Sequence, residues 1–510
     1  MSAFRTADPP ERTRFGRHMP AASLFWLTLA LTVAVGILLR LDGIWSLSLN
    51  FDEGATYYFA HLPLADLWGA PAWLETNPPL YYTTEHGMVA LFGDGAAALR
   101  LAGVAAGVLC IPIAALIAFR AGGAAAGLAT AALVATSASC VQASQDARTY
   151  SALTLAALVA IAAEFSLLRI YRGPVTDGRR VPIAAWVSYV VAGIASLYLH
   201  NTAALMILAL NLVAALCWLS VPDMQRRFAT HWIVANAIIV AVYAAWLPVV
   251  AYQSANTLAN FWIPMPTLAD LRYAMMKTFA QPLLHVLQPV PDLLFVLTGL
   301  AGVVLYRSNR GLLGLAVFVL LGVPVLTWVI SQWRPLTNGK TLLWLVPVFL
   351  IFVALGCTWH RRLAAPLTAA LVAVQLVACF SYFQTRQDDA FPEMAALLRT
   401  FAEDGDVIYL HVPADEILLN QYGWPRDRLR VYAPGPVGWF RAFDGTPLSI
   451  AEFGQTTPAG RVWVFTRNNP ALHRSLAARL GNGMTETFAR SSGGLELSLF
   501  APQPEQAPHN

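Results

Sequence analysis

The chain has 510 residues, of which 57% are hydrophobic and only 12% charged, against roughly 25% charged in soluble proteins. Such a composition marks a polytopic membrane protein, and the net charge of +4 excludes bulk attraction to nucleic acid. The five cysteines, Cys110, Cys140, Cys217, Cys357 and Cys379, all lie inside or at the ends of apolar runs. That placement argues against a disulfide framework or a paired-cysteine zinc site and for small buried hydrophobes.

Arg5, Arg12, Arg14 and Arg17 precede a first apolar run at 21–39. It is long enough to span, roughly 20 residues being needed, and longer than the about 7–15 residues of a signal-peptide core. The expectation is an uncleaved anchor with a cytoplasmic N-terminus. Further spans are expected at 97–119, 124–141, 150–168, 184–199, 202–220, 231–250, 292–306, 312–330, 341–358 and 364–382, about eleven in all.

Alternate connections carry Arg120; Arg169, Arg172, Arg179 and Arg180; Arg226 and Arg227; Arg307 and Arg310; and Arg361 and Arg362, with almost no acids. The positive-inside bias assigns these to the cytoplasm. The opposite connections hold Asp52-Glu53, Gln145-Asp146-Ala147-Arg148, His200-Asn201, Asp270 to Lys277 and Arg334 to Lys340. Tyr81 to Phe92 is then expected to lie at the outer surface, because a crossing there would turn the basic loops outward.

An odd number of spans places the tail outside. From about Gln384 the composition becomes that of a soluble domain, with strands expected at 407–412, 461–465 and 495–500 and helices near 392–403, 414–422 and 470–481. The domains expected are a membrane domain, 1–383, and a small α/β domain, 384–510, packed over the outer face.

The first outer connection, 41–96, is rich in aromatic residues, which favour the bilayer interface. It carries Asp52 and Glu53. A carboxylate pair in so apolar a chain is costly unless something cationic or catalytic compensates it, although acids in a first helical turn also suit the helix dipole. Asn77-Pro78-Pro79-Leu80-Tyr81-Tyr82 reads as a turn and helix start. Gln145-Asp146-Ala147-Arg148-Thr149-Tyr150 offers either an ion pair or, through the guanidinium fork, phosphate recognition. His200 ends a span on the same side, where a lone histidine is more often structural than functional. The run Arg334-Pro335-Leu336-Thr337-Asn338-Gly339-Lys340-Thr341-Leu342 puts two cations on an outer loop, against the general bias. They suit an anionic ligand or a lipid headgroup. Two carboxylates and three cations on one face are the groups needed to transfer a sugar from a phosphate-linked donor, with a base for the acceptor and cations for the departing phosphate.

In order and kind these segments, with Gly93 to Arg100-Leu101 and Tyr198-Leu199-His200-Asn201, resemble membrane glycosyltransferases of the C-type fold. The resemblance is to bacterial relatives of protein O-mannosyltransferases and of the lipid A aminoarabinose transferase, over roughly residues 20–380. It implies inverting transfer from a polyprenyl-phosphate sugar to an envelope acceptor (lipid A, polysaccharide, glycolipid or protein) at the periplasmic face of the bacterial inner membrane. By position, Asp52 would be the general base, with Glu53 assisting it or holding a neighbouring cation. Arg148, Arg334 and Lys340 would bind the carrier phosphate. Asn77, Pro78, Pro79, Tyr82, Asp146, Tyr150 and His200 would shape the cavity. Two departures matter: the family usually has Arg where Lys340 stands, and the aminoarabinose transferases have Lys where this chain has Asn77. The resemblance leans to no metal, although Asp52 and Glu53 also suit a divalent ion. The competing reading is a transporter or flippase of a lipid-linked intermediate, which would need broken spans and ionisable residues at the bilayer midplane.

Overall fold

The structure is a computed structural model that describes residues 21–73, 75–172, 181–220, 226–256, 265–279, 290–334, 336, 339–386, 388–434, 446–447, 460–481 and 483–503. The N-terminal arginines, Arg179, Arg180, Pro335, Thr337 and Asn338 lie outside the described residues.

The chain forms a helical membrane bundle with a small sheet domain over one end. Its apolar helices, with short interface helices between them, are α1 (Ala21–Leu41), α2 (Phe51–His61), α3 (Leu80–Phe92), α4 (Ala96–Thr136), α5 (Ala138–Gln145), α6 (Tyr150–Ile170), α7 (Ile183–Leu199), α8 (Ala203–Ser220), α9 (Arg226–Ala244), α10 (Leu247–Asn256), α11 (Leu268–Phe279), α12 (Val290–Leu305), α13 (Arg310–Ser331), α14 (Leu345–Cys357) and α15 (Arg361–Thr385). Among the described residues, seven are long and apolar enough to cross a membrane, and α7, α12 and α14 are shorter apolar helices. α4 supplies two passes. Gly123 sits at φ 82°, a backbone conformation that glycine adopts freely, and an added Cβ at Gly127 would lie 3.0 Å from Phe119 Cβ, so the arms fold back on one another. Each of the eleven expected spans therefore finds a helix, with two breaks. The stretch expected at 124–141 stops at Thr136 and resumes as α5 after an extended Ser137. The one expected at 231–250 divides into α9 and α10.

Backbone groups inside a bilayer must find partners within the protein, and α1 shows how one helix end does so. Arg40, fully buried, donates to the carbonyls of Val134 and Ala135 at the end of α4, at 3.1 and 3.0 Å, and to Ser144 Oγ at 3.2 Å. α12 and α14 cross closely because both carry glycine at the crossing. A Cβ at Gly302 would lie 2.0 Å from the Phe352 carbonyl oxygen, and one at Gly356 1.9 Å from that of Thr298. α3 has 13 residues, about 20 Å, too short to span, and Gly93 at φ 84° ends it.

The tail folds as α16 (Phe391–Phe401), β1 (Val407–Leu410), α17 (Asp415–Gln421), β2 (Arg430–Ala433), β3 (Thr446–Pro447), β4 (Val462–Arg467), α18 (Pro470–Leu480), β5 (Met484–Ser492) and β6 (Leu495–Pro502). The sheet order is β3-β2-β1-β4-β6-β5, with β1 to β4 parallel and β5 and β6 antiparallel. Both faces of β1 and β4 are covered, so 407–410 and 462–465 are continuously apolar. Val407, Tyr409, Val462 and Val464 face α18, while Ile408, Leu410, Trp463 and Phe465 join a core that includes Leu49 and Ala60 of the first outer connection. That shared core fixes the sheet to the membrane domain. Ser48 N–H donates to Asp388 Oδ1 at 2.7 Å and Leu49 N–H to the Tyr422 hydroxyl at 2.7 Å. A Cβ at Gly54 would lie 2.9 Å from Leu418 Cγ, so α2 and α17 touch almost backbone to side chain.

Candidate active site

The site begins with a helix cap. Asn50, in an extended conformation, accepts from Glu53 N–H at 3.1 Å, and Glu53 Oε2 accepts in return from Asn50 N–H at 3.0 Å. This capping box starts α2 and puts two consecutive carboxylates in its first turn. Consecutive helical residues do not face the same way, and the two acids have opposite fates.

Glu53 points inward and is fully buried. Arg100, near the start of α4, grips both its oxygens at 2.8 and 2.6 Å, and Ala147 N–H donates to Oε1 at 2.9 Å. The remaining donors of Arg100 reach the carbonyls of Ile44, Leu47 and Ser48. Glu53 therefore holds a cation and, through it, the whole entry to α2.

Asp52 points outward, its side chain 46% exposed. Its Oδ2 lies 2.6 Å from Lys340 Nζ, and Lys340 also stands 3.7 Å from Asp146 Oδ2. Arg148 closes the opposite flank, donating to the Asp52 carbonyl at 3.2 Å and reaching the Tyr82 hydroxyl at 3.5 Å. Tyr150 lies beneath, its ring centroid 6.0 Å from Lys340 Nζ. Burial raises the Asp52 carboxyl, but Lys340 and Arg148 outweigh it and hold the group below its usual range. Asp146 is raised to about 6 by burial, reinforced by Glu53 and against the pull of Lys340.

The other expected residues line the surroundings. Pro78 and Pro79 are buried at the start of α3, and the Tyr82 ring packs on Phe59 with centroids 5.0 Å apart. Asn77 gives its amide to Glu75, at 3.0 Å from N–H and 2.7 Å from Nδ2. His200 Nδ1 accepts from Thr202 N–H at 3.2 Å, and burial and Arg148 lower the imidazole to about 4, so it is neutral at physiological pH. Arg334 stands apart, donating to the Ser254 carbonyl at 3.3 Å, with no contact to Asp52 among the described residues. The structure thus gathers Asp52, Asp146, Arg148, Tyr150, Tyr82 and Lys340, and leaves Arg334 on a neighbouring loop.

Three residues enter that sequence reasoning left out. Arg100 opens an apolar span, where an arginine demands a partner, and that position is its sequence signal. Glu85 on α3 is fully buried beside the Tyr81 hydroxyl, and burial pushes its carboxyl up to about 8 against the pull of that hydroxyl. Arg467, the last residue of β4, lies over the Phe51 ring at 3.5 Å, next to Asp52, and 3.3 Å from the buried Asp415. Nothing in the sequence of the tail marks Arg467. It arrives because the strand order reverses between β1 and β4, and the carboxyl ends of strands at such a point form a crevice, here aimed at α2.

A divalent ion at Asp52 and Glu53 would need both carboxylates. Glu53 has committed both oxygens to Arg100, and the position between Asp52 and Asp146 holds the Lys340 ammonium. In this arrangement a cation already faces each carboxylate of the first turn of α2, Arg100 at Glu53 and Lys340 at Asp52.

Folded in this way, the chain is a multi-pass membrane protein with the C-type fold of membrane glycosyltransferases. ArnT from Cupriavidus metallidurans superposes with a TM-score of 0.62 in its apo state and 0.60 bound to undecaprenyl phosphate. In both, identity is 13%, over 94% of this chain and 98% of the other. The archaeal oligosaccharyltransferase AglB from Archaeoglobus fulgidus, in complex with an inhibitory peptide and a dolichol-phosphate, gives a TM-score of 0.56 at 12% identity, over 96% of this chain and 75% of the other. At these identities the likeness is one of fold. No family model and no curated protein matches the sequence.

Proposed function

We propose that the protein transfers a sugar from a polyprenyl-phosphate donor to an acceptor hydroxyl on an envelope molecule, with inversion, at the periplasmic end of the bundle. The carrying observation is the half-exposed Asp52 carboxylate flanked by Lys340 and Arg148. Structures of the same fold bind undecaprenyl phosphate or dolichol-phosphate, which supports the donor class.

Exposed ion pairs contribute only about 0–1 kcal/mol, so an arriving donor phosphate can draw Lys340 away from Asp52 at small cost. The same displacement removes the larger of the charges that hold Asp52 low, and so turns it into a better base. Asp52 then takes the acceptor hydroxyl proton as the oxygen attacks the anomeric carbon. The bond from that carbon to the phosphate oxygen breaks on the opposite face, and the phosphate leaves with its new charge facing Lys340 and Arg148. Arg100, Glu53 and the capping box hold Asp52 in place. We propose that no metal takes part, Lys340 standing where one would bind.

The test is transfer in a purified detergent system with polyprenyl-phosphate sugars as donors. The reading expects product from the wild type and a transfer rate about 10²–10⁴ lower from Asp52→Asn at equal folding. Full activity in Asp52→Asn would overturn the assignment. Translocation of lipid-linked sugar by vesicles without any transfer would overturn the reaction itself.

A further inference from the structure

The helices leave a second cavity, of about 520 Å³, at the opposite end of the bundle. α6 begins with Tyr150 beside Lys340 and ends with Ile170 in this cavity. Its 21 residues at about 1.5 Å each separate the two sites by roughly 30 Å, about the thickness of a bilayer core.

Four arginines line the cavity: Arg120 at the bend of α4, Arg169 and Arg172 at the end of α6, and Arg310 at the start of α13. No Asp or Glu is among the lining residues, and none of the four arginines is in an ion pair among the described residues. Arg120 donates to Ser166 Oγ at 2.6 Å, a neutral partner. The first amides of α13 are taken by the Asn309 side chain, so anion affinity here comes from guanidiniums rather than from a helix end. Ile117, Phe165, Leu168 and Cys217 supply an apolar floor.

A topogenic charge bias asks for arginines at this membrane face but not for their convergence on one concavity. Four exposed guanidiniums around a shared hollow concentrate positive potential there and draw an anion into it. An apolar floor beneath them at the level of the headgroups adds the second half of an amphiphile's complement. Basic pockets between helices at a cytoplasmic surface suit lipid phosphates, and the guanidinium fork matches phosphate geometry. We infer that this cavity binds the headgroup phosphate of an anionic glycerophospholipid from the leaflet opposite the Asp52 site, with the first acyl carbons lying on the floor.

The experiment uses the full-length protein, delipidated and then titrated with phosphatidylglycerol or phosphatidylcholine, with retained lipid counted by native mass spectrometry. The wild type is expected to retain phosphatidylglycerol in preference to phosphatidylcholine. The variant Arg120→Gln/Arg169→Gln/Arg310→Gln is expected to lose that preference, binding phosphatidylglycerol at least tenfold more weakly. Arg310→Lys, which keeps the charge, should retain most of it, and an unchanged melting midpoint for the triple variant shows that it has folded. If the triple variant does not fold, the comparison passes to the single Arg→Gln variants, each expected to bind severalfold more weakly. Equal retention of both lipids, or no change in the variants, would overturn the proposal. So would full displacement of phosphatidylglycerol by millimolar inorganic phosphate, which would make this a site for a free anion.

Discussion

Arg100 holds Glu53 through both carboxylate oxygens, at 2.8 and 2.6 Å, inside the protein and out of contact with solvent. One residue earlier on the same helix, Asp52 makes an equally short contact with Lys340 at the surface. Burial, not distance, separates the two pairs. Removing one partner of a buried pair costs about 3–5 kcal/mol because the other charge is stranded, whereas an exposed pair contributes about 0–1 kcal/mol.

Arg100→Ala and Glu53→Gln are therefore expected to lower stability by about 3–5 kcal/mol, seen as reduced folded yield and an earlier thermal transition in detergent. Arg100→Lys should recover little, because an ammonium cannot make the bidentate contact and also reach three carbonyls. Wild-type melting in Arg100→Ala would show that the pair does not hold the entry to α2.

Asp52→Asn is expected to leave melting within about 1 kcal/mol of wild type. Its transfer rate is expected to fall by about 10²–10⁴, the usual contribution of a positioned general base. Size-exclusion behaviour and melting, measured on the protein used for kinetics, separate this loss from unfolding.

This division of labour between adjacent acids was only partly legible in the sequence. Asp52, Asp146, Arg148 and Lys340 could be placed on one face, because charge bias and parity are properties of the linear chain. By charge bias Glu53 was expected on the same face as Asp52, whereas the helix turns it inward to Arg100, a partner that depends on where α4 begins. The hairpin at Gly123 and the break at Ser137 depend on single backbone dihedrals inside apolar runs, which periodicity does not register. In the tail, β1 and β4 stood out as apolar runs and β6 by its alternation. β5 did not, because it is an edge strand with an almost wholly exposed pattern. The Gly493-Gly494 turn, with φ of 56° and 81°, was its available signal.

Lys340→Met is expected to move the acidic limb of the kcat/KM profile upward, since it removes the largest influence that lowers the Asp52 carboxyl while burial continues to raise it. KM for the donor should rise as well, because the same ammonium would face the departing phosphate. A profile unchanged on its acidic side would dissociate Lys340 from Asp52 in the proposed reaction.

Asp146 gives stability a pH dependence of its own. Its carboxyl titrates at about 6 in the folded protein against 3.8 ordinarily, so between those values the folded state holds more protons than the unfolded one. Stability from this group is then greatest at low pH and falls as pH rises from about 4 to about 6. Asp52 is shifted the opposite way, and its contribution is lost only as pH falls below the ordinary carboxylate range, outside that window. Asp146→Asn is expected to flatten the melting midpoint between pH 4 and 6, and a slope equal to wild type would place the titration elsewhere.

Arg467 tests whether the sheet domain takes part in catalysis or only covers it. Its guanidinium lies over Phe51 and beside Asp415, whose carboxyl is pushed up to about 7 by burial despite that cation. Arg467→Leu should destabilise the domain seam, because the buried Asp415 loses its counter-charge. Adding Asp415→Asn removes the stranded acid and is expected to return much of the stability, so the two substitutions should be strongly non-additive in melting. If Arg467 also contributes to the charge around Asp52, the double variant will remain slow although it folds well, with the acidic limb of its rate profile displaced upward. Recovery of rate along with stability would confine Arg467 to joining the two domains.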